Sequence, residues 1–182
     1  MDARSSRLAD GKTLEIREAV QQDAADLLEF LPRTFEETDC LIMTRQEFDQ
    51  TLDQEANFLG KVAASTTQLA LLAHIDSRLV GMLTFIGRDL ERVRHTGEVG
   101  LIVSQDQWGR GVGRHLMLAL HDWAIQNPLI TKIDLRVRLS NQRAISLYER
   151  LGYEIEGWIR RAVLIDGEYD DHYWMGLKLP LD

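Results

Sequence analysis

The sequence predicts a mixed α/β (α+β) fold built as one domain. Three observations lead there: apolar runs of strand period in several places, apolar residues at helical spacing between them, and no Pro/Gly/Ser linker or internal repeat across 182 residues. Residues 1–12 are polar and expected to fray as a tail, which leaves residues 13–182 as the domain.

The elements follow in order. In "TLEIREA", Leu14 and Ile16 alternate with Glu15 and Arg17, which predicts a first strand. Asp23 can cap a helix running to about Leu31, before Pro32. Thr44 and Glu47 fit a capping box, with Phe48, Leu52 and Leu59 on one face of a second helix. The period then changes: "QLALLAHI" and "RLVGMLTFI" meet at Asp76-Ser77-Arg78 as a hairpin, and "EVGLIVS" adds a further strand. Val112, Leu116, Ala119, Leu120 and Trp123 have helical spacing until Pro128 breaks it. "KIDLRVR" alternates as a strand, and "NQRAISLYERLGY" reads as a short helix between Asn141 and Gly152. "WIRRAVLI" and "HYWMGLKL" flank "DGEYDD", whose Asp166-Gly167 is a hairpin turn signal. The order is β-α-α-β-β-β-α-β-α-β-β.

Composition narrows the function classes. A net charge of -8 argues against general nucleic-acid binding. No apolar run approaches the roughly 20 residues of a membrane span, and the N-terminal stretch lacks a signal-peptide core, so the cytoplasm is the expected location. Cys40 is the one cysteine, which rules out an intrachain disulfide and reads as a plain thiol. The five histidines show no tight ligand pairing, so no metal is expected. The charge is unevenly spread: residues 23–55 are strongly acidic, whereas Arg88, Arg92, Arg94, Arg110 and Arg114 make a local basic region fit for an anion.

Within that basic region, "QWGRGVGRHL" places Gly109, Gly111 and Gly113 at alternate positions between a strand and a helix. A helix start exposes unpaired N–H groups and the positive end of the helix dipole, and residues without Cβ let a ligand approach the backbone. That is a cradle for phosphate oxygens. The P-loop pattern G-x-x-x-x-G-K-[ST] is absent, because His115 and Leu116 follow Arg114. The dinucleotide pattern G-x-G-x-x-G fails at Arg114 or Leu116. A ligand-free glycine turn stays open on these residues alone.

The longer stretch "EVGLIVSQDQWGRGVGRHLMLAL" resembles the acetyl-coenzyme A signature [Q/R]-x-x-G-x-[G/A] of the Gcn5-related N-acetyltransferases, the GNAT family. Gly111 and Gly113 match its small positions, and Trp108 departs from it at the Gln/Arg position. "NQRAISLYERLGYEIEG" is similar to a second family block, matching at Asn141, Ala144, Leu147, Tyr148, Gly152 and Tyr153. The resemblance covers roughly residues 13–178 and implies a mostly antiparallel twisted sheet of six or seven strands with about four helices. It also implies a bulge that splays "EVGLIVS" from "KIDLRVR".

The same resemblance implies acetyl transfer from acetyl-CoA to an amine. Leu101, Ile102 and Val103 would pair with the pantetheine arm. Gly109, Arg110, Gly111, Val112, Gly113 and Arg114 would hold the pyrophosphate, with the two arginines either adding charge or lying on the surface. Tyr148 stands where the family places the acid for the departing thiolate, or it packs. Glu98 is a candidate base, or it pairs with an arginine. Asn141 bonds the cofactor arm or only caps its helix. Trp108 shields the phosphates or packs beneath the loop. For the acceptor, Glu36, Glu37, Asp39, Asp166, Glu168, Asp170 and Asp171 suggest a cationic amine such as a polyamine, or else form a solvated surface. The tail "RRAVLIDGEYDDHYWMGL" resembles spermidine, ribosomal-protein and amino-acid acetyltransferases alike. Dimers are common in that family, so the resemblance implies a homodimer, for which the final strands could provide the surface. A catalytically silent coenzyme A-binding or regulatory module is the alternative reading.

Overall fold

Alternating apolar side chains let a strand bury one or both faces, and strands of this kind form the centre of a single open sheet of eight, in a computed structural model that describes residues 3–180. The first are β1 (Arg4–Arg7) and β2 (Thr13–Glu18), followed by α1 (Ala24–Glu37) and α2 (Leu52–Ala64). Next come β3 (Gln68–Ile75), β4 (Arg78–Gly87) and β5 (Thr96–Val103), then α3 (Val112–Gln126). The chain closes with β6 (Lys132–Arg138), α4 (Gln142–Arg150), β7 (Glu154–Ile165) and β8 (Glu168–Lys178). The sheet order is β1-β2-β3-β4-β5-β6-β8-β7, and every pair is antiparallel except β5 with β6. No helix among the described residues is long and apolar enough to cross a membrane.

Two apolar layers hold the helices to the sheet. On one face, Val112, Leu116, Met117 and Leu120 of α3 and Ile145 and Tyr148 of α4 pack on Leu69, Leu71, Leu83 and Phe85. On the other, Leu27, Phe30 and Leu31 of α1 and Leu59 and Val62 of α2 cover Ala70, Leu72 and Met82. Neighbouring residues of β3 thus serve opposite layers, which explains its unbroken apolar run. The β3–β4 turn uses Asp76 and Ser77 at φ 52° and 65°, and the β7–β8 turn uses Asp166 and Gly167 at φ 50° and 85°. Both are two-residue turns with left-handed central residues, as tight hairpins require.

Several boundaries differ from the sequence reading. The polar tail contributes β1, paired with β2 from Arg4 opposite Ile16 to Arg7 opposite Thr13, so it does not fray there. Helix α1 continues past Pro32 to Glu37, because Phe30, Leu31 and Thr34 are buried on its core face. Packing of that face outweighs the roughly 3 kcal/mol cost of an internal proline. Asp23 precedes α1 but makes no cap bond; its carboxylate accepts from Arg17 Nη1 and Nη2 at 2.7 and 2.6 Å and from the Val20 amide at 2.7 Å. The Thr44–Glu47 pair closes a turn outside any helix, and α2 starts later at its own box, with Thr51 N–H donating to Gln54 and Gln54 N–H to Thr51.

The pairing of β5 with β6 positions everything functional. It spans three residue pairs, Thr96 with Lys132, Gly97 with Ile133 and Glu98 with Asp134, and then stops. Strand β5 stays paired to β4 through Val103, and β6 stays paired to β8 through Arg138. The two strands therefore part like a fork. The bulge expected here is absent: β5 keeps regular register with β4, and the register shifts of the sheet lie in β3–β4 and β7–β8. The ends of α3 and α4 meet over the fork, where the Gly113 Cα faces Leu101 and Leu147.

Below the fork, Gly97 fills a close approach. A Cβ there would lie 2.3 Å from Phe85 Cζ and 2.8 Å from the Ile86 carbonyl oxygen. Gly97→Ala is expected to lower stability by about 2 kcal/mol, read as a lower urea midpoint with unchanged slope.

Candidate functional site

The fork opens into a cavity of about 760 Å³ that runs from the loop before α3 to the segment between α1 and α2. That volume lies within the range of sites for small molecules and cofactors. Its walls include Leu101, Ile102 and Val103 of β5, the loop residues Gly109 and Gly111, the α3 residues Val112, Gly113 and Arg114, and Asn141, Tyr148 and Glu98. Arg110 is the exception among the nominated residues: its guanidinium bonds Asp10 of the β1–β2 turn and the Gln107 side chain, and it does not line the cavity.

The loop is built by local conformation. Gly109 and Gly111 have φ of 75° and 90°, values that a side chain would strain. Gly111 accepts the first helical bond, from the His115 amide at 3.0 Å. Among the described residues, no protein group accepts the amides of Gly111, Val112, Gly113 and Arg114. Four free N–H groups at a helix start of 15 residues, with Arg114 beside them, suit the oxygens of a diphosphate. Trp108 braces this loop: its indole N–H donates to the Val103 carbonyl at 2.7 Å, and the Arg143 guanidinium stacks 3.6 Å from its ring centre.

At the other side of the fork, Asn141 caps α4 by accepting the Ala144 amide at 3.1 Å while also lining the cavity. Tyr148 projects from the same helix, is 8% exposed, and has its hydroxyl pushed up to about 12 by burial. Its hydroxyl has no protein partner among the described residues. Neighbouring Tyr153 is raised further, by burial first and then by Tyr148, and shares a 3.1 Å contact with His121. Glu98 accepts from Arg136 Nε at 2.7 Å, across the last paired rung of the fork.

None of the acidic residues offered for a cation lines the cavity, and five of the seven are engaged elsewhere, Asp166 and Glu168 being the others. Asp39 and Asp170 hold Arg138 at 3.1 and 2.8 Å; the guanidinium keeps the Asp39 carboxyl below its usual range, and the Ser140 hydroxyl together with the guanidinium does the same for Asp170 against the opposing effect of burial. Glu37 accepts the Gln105 amide at 2.7 Å, Asp171 accepts from Trp158 Nε1 at 2.7 Å, and Glu36 lies 4.0 Å from Arg45. Arg138, which lines the cavity, thus ties the segment after α1 to β6 and β8. Among the described residues, no group of three or more His, Cys, Asp or Glu could hold a metal ion.

One cavity carboxylate escaped the sequence reading. Glu55 of α2 is 5% exposed, lines the cavity, and makes no side-chain hydrogen bond or ion pair among the described residues. Burial raises its pKa. Its signal was present in the sequence: Glu55, Leu59 and Val62 occupy one buried helical face, so a carboxylate stands in an apolar stripe.

Comparison with known proteins agrees with this geometry. Residues 25–153 match the family described as the acetyltransferase (GNAT) family. The L-amino acid N-acetyltransferase AaaT of Escherichia coli (strain K12) is 34% identical over 105 residues, 58% of this chain and 65% of that protein, so this chain spans slightly under two thirds of that relative. A GNAT-family acetyltransferase from Streptococcus pneumoniae superposes with a TM-score of 0.89 at 32% identity, covering 92% of this chain and 99% of that one. The yncA protein of Salmonella typhimurium, solved with acetyl-CoA, has a TM-score of 0.81 at 20% identity over 93% and 95% of the chains, a likeness of fold.

The Glu55 environment fixes the sign of a pH effect. The unfolded carboxyl titrates near 4.3, and the folded one titrates higher, so the folded state binds the proton more tightly. Stability from this group is present below the unfolded value and is lost as pH rises through the folded one. Glu55→Gln is therefore expected to raise the thermal midpoint at pH 7 by about 2 °C, with the difference vanishing below about pH 4, as differential scanning calorimetry would show.

Proposed function

The chain belongs to the GNAT family of acetyltransferases, and on that premise we propose that it transfers the acetyl group of acetyl-CoA to a primary amine of a small molecule or protein. The observation that carries this reading is the fork: β5 has no strand partner on its β6 side beyond Glu98, directly beside a helix start with four free amides. An extended pantetheine arm would add to β5 along Leu101, Ile102 and Val103 as a strand adds to an open edge. Its diphosphate would meet the amides from Gly111 to Arg114, with Gly109 allowing close approach. Arg110 is left to its contact with Asp10.

Acetyl-CoA supplies an acyl carbon already activated by a thioester. The amine nitrogen forms a bond to that carbon, the carbon–sulfur bond breaks, and the amine loses a proton. Glu98 takes that proton, directly or through water, while Arg136 holds the carboxylate in place. Free N–H groups of β5 polarise the carbonyl. Tyr148 donates a hydrogen bond to the departing sulfur. Full proton transfer from a hydroxyl near 12 to a thiolate of ordinary basicity, about 8.5, is uphill, so the hydrogen bond itself is the stabilising contribution. Asn141 lies close enough to the arm's entrance to serve it while capping α4.

The acidic segments do not favour a polyamine acceptor, because their carboxylates already hold Arg138, Gln105 and Trp158. The proposal extends to the cytoplasm as the location, where acetyl-CoA is at hand. It extends also to a homodimer through β7, where Ile155, Trp158, Ile159 and Leu164 are exposed on an edge strand.

Calorimetric titration with acetyl-CoA, followed by thiol release against a panel of amines, tests the proposal. Binding with amine-dependent release is expected; binding without release from a broad panel would instead indicate a silent coenzyme A-binding module. Tyr148→Phe is expected to lower kcat by about tenfold to a hundredfold with little change in KM for acetyl-CoA. Light scattering should give twice the chain mass for the wild type, and Trp158→Lys should give a monomer.

A further inference from the structure

We propose that Glu55, with Phe35, Phe48 and Phe58 around it, forms an acceptor subsite that takes the ammonium group of an amine carried on an apolar body. The inference rests on the acetyltransferase reading above and names the substrate class that this site fits.

Glu55 is more than nine-tenths buried, yet no arginine or lysine pairs with it among the described residues. A buried carboxylate without a partner is costly, and proteins keep such groups where a ligand completes them. Three of the cavity's arginines are committed elsewhere, Arg136 to Glu98, Arg138 to Asp39 and Asp170, and Arg143 to Trp108, while Arg114 stands at the start of α3 and Arg150 at the end of α4, and neither pairs with Glu55. An anionic cofactor cannot complete Glu55, because like charges repel. What completes it is a cation or a strong donor arriving with the second substrate.

The surroundings define the rest of that substrate. Phe35 and Phe48 stand 5.5 Å apart between ring centres, and Phe58, Leu31 and Met82 line the same end of the cavity. This wall is mainly apolar, with Glu55 its one carboxylate and with Thr34, Thr38 and Gln50 as uncharged polar groups. A polyamine would leave its further ammonium groups unpaired there, whereas a monoamine with an aromatic or aliphatic body satisfies both features. Met82, Ile102 and Glu98 sit at alternating positions of the paired strands β4 and β5, so the subsite and the proposed base share one face of the sheet. Glu55 captures and orients the amine; Glu98 takes its proton.

The test uses the full chain saturated with CoA, which lacks the acetyl group and so prevents turnover. 2-Phenylethylamine, its uncharged counterpart 2-phenylethanol, and spermidine are titrated separately by calorimetry. The wild type is expected to bind 2-phenylethylamine at least about tenfold more tightly than either of the others. Glu55→Gln should weaken the amine by about tenfold while leaving 2-phenylethanol and CoA within about twofold, and Glu55→Asp should restore part of the loss. Retained CoA affinity shows that the variants are folded. The inference is overturned if Glu55→Gln binds the amine as the wild type does, if spermidine binds best, or if the amine does not bind. Failure of the wild type to bind CoA would instead overturn the acetyltransferase reading.

Discussion

Three rungs of parallel pairing between β5 and β6 are the constraint on which the site depends. They are enough to keep the two halves of the sheet in register, and their early end leaves β5 with an open edge inside the molecule. An open strand edge normally invites aggregation, but here α3 and α4 close over it, with Leu147 against Gly113. The helix start that arrives there brings its own unpaired amides, so the two sets of free backbone groups, one on a strand and one on a helix, fall along a single line.

Side chains then divide the space by charge. Arginines stand toward the loop and the fork, while the α1–α2 end is aromatic with a single carboxylate. The site thus has a loop arm, proposed above to take the diphosphate, and an apolar arm, with Tyr148 and Glu98 also in its walls. Most of the arginines are themselves held by partners, which fixes their positions at the expense of their freedom to answer a ligand.

The sequence made the local features legible and hid the long-range ones. Glycines before a helix, the Asn141 cap and the two hairpin turns are written in a few adjacent residues, and each is found where expected. Pro32 misled because local cost lost to the burial of Phe30, Leu31 and Thr34, which no short window reveals. β1 was missed because its alternating polar residues carry no apolar signal; its place follows from pairing with β2. Arg110 looked like a phosphate ligand until Asp10, one hundred residues away in sequence, took its charge. The acidic run around Asp39 looked like a cation trap for the same reason, its partner Arg138 lying on a distant strand.

Arg138 has a structural consequence. One guanidinium joins the connector leaving α1, the end of β6 and the start of β8; the guanidinium is buried, while its partner Asp39 stays open to solvent. β8 is in turn zipped to the outermost strand along most of its length. The outermost strand and the rim of the apolar arm are therefore connected through β8 and Arg138.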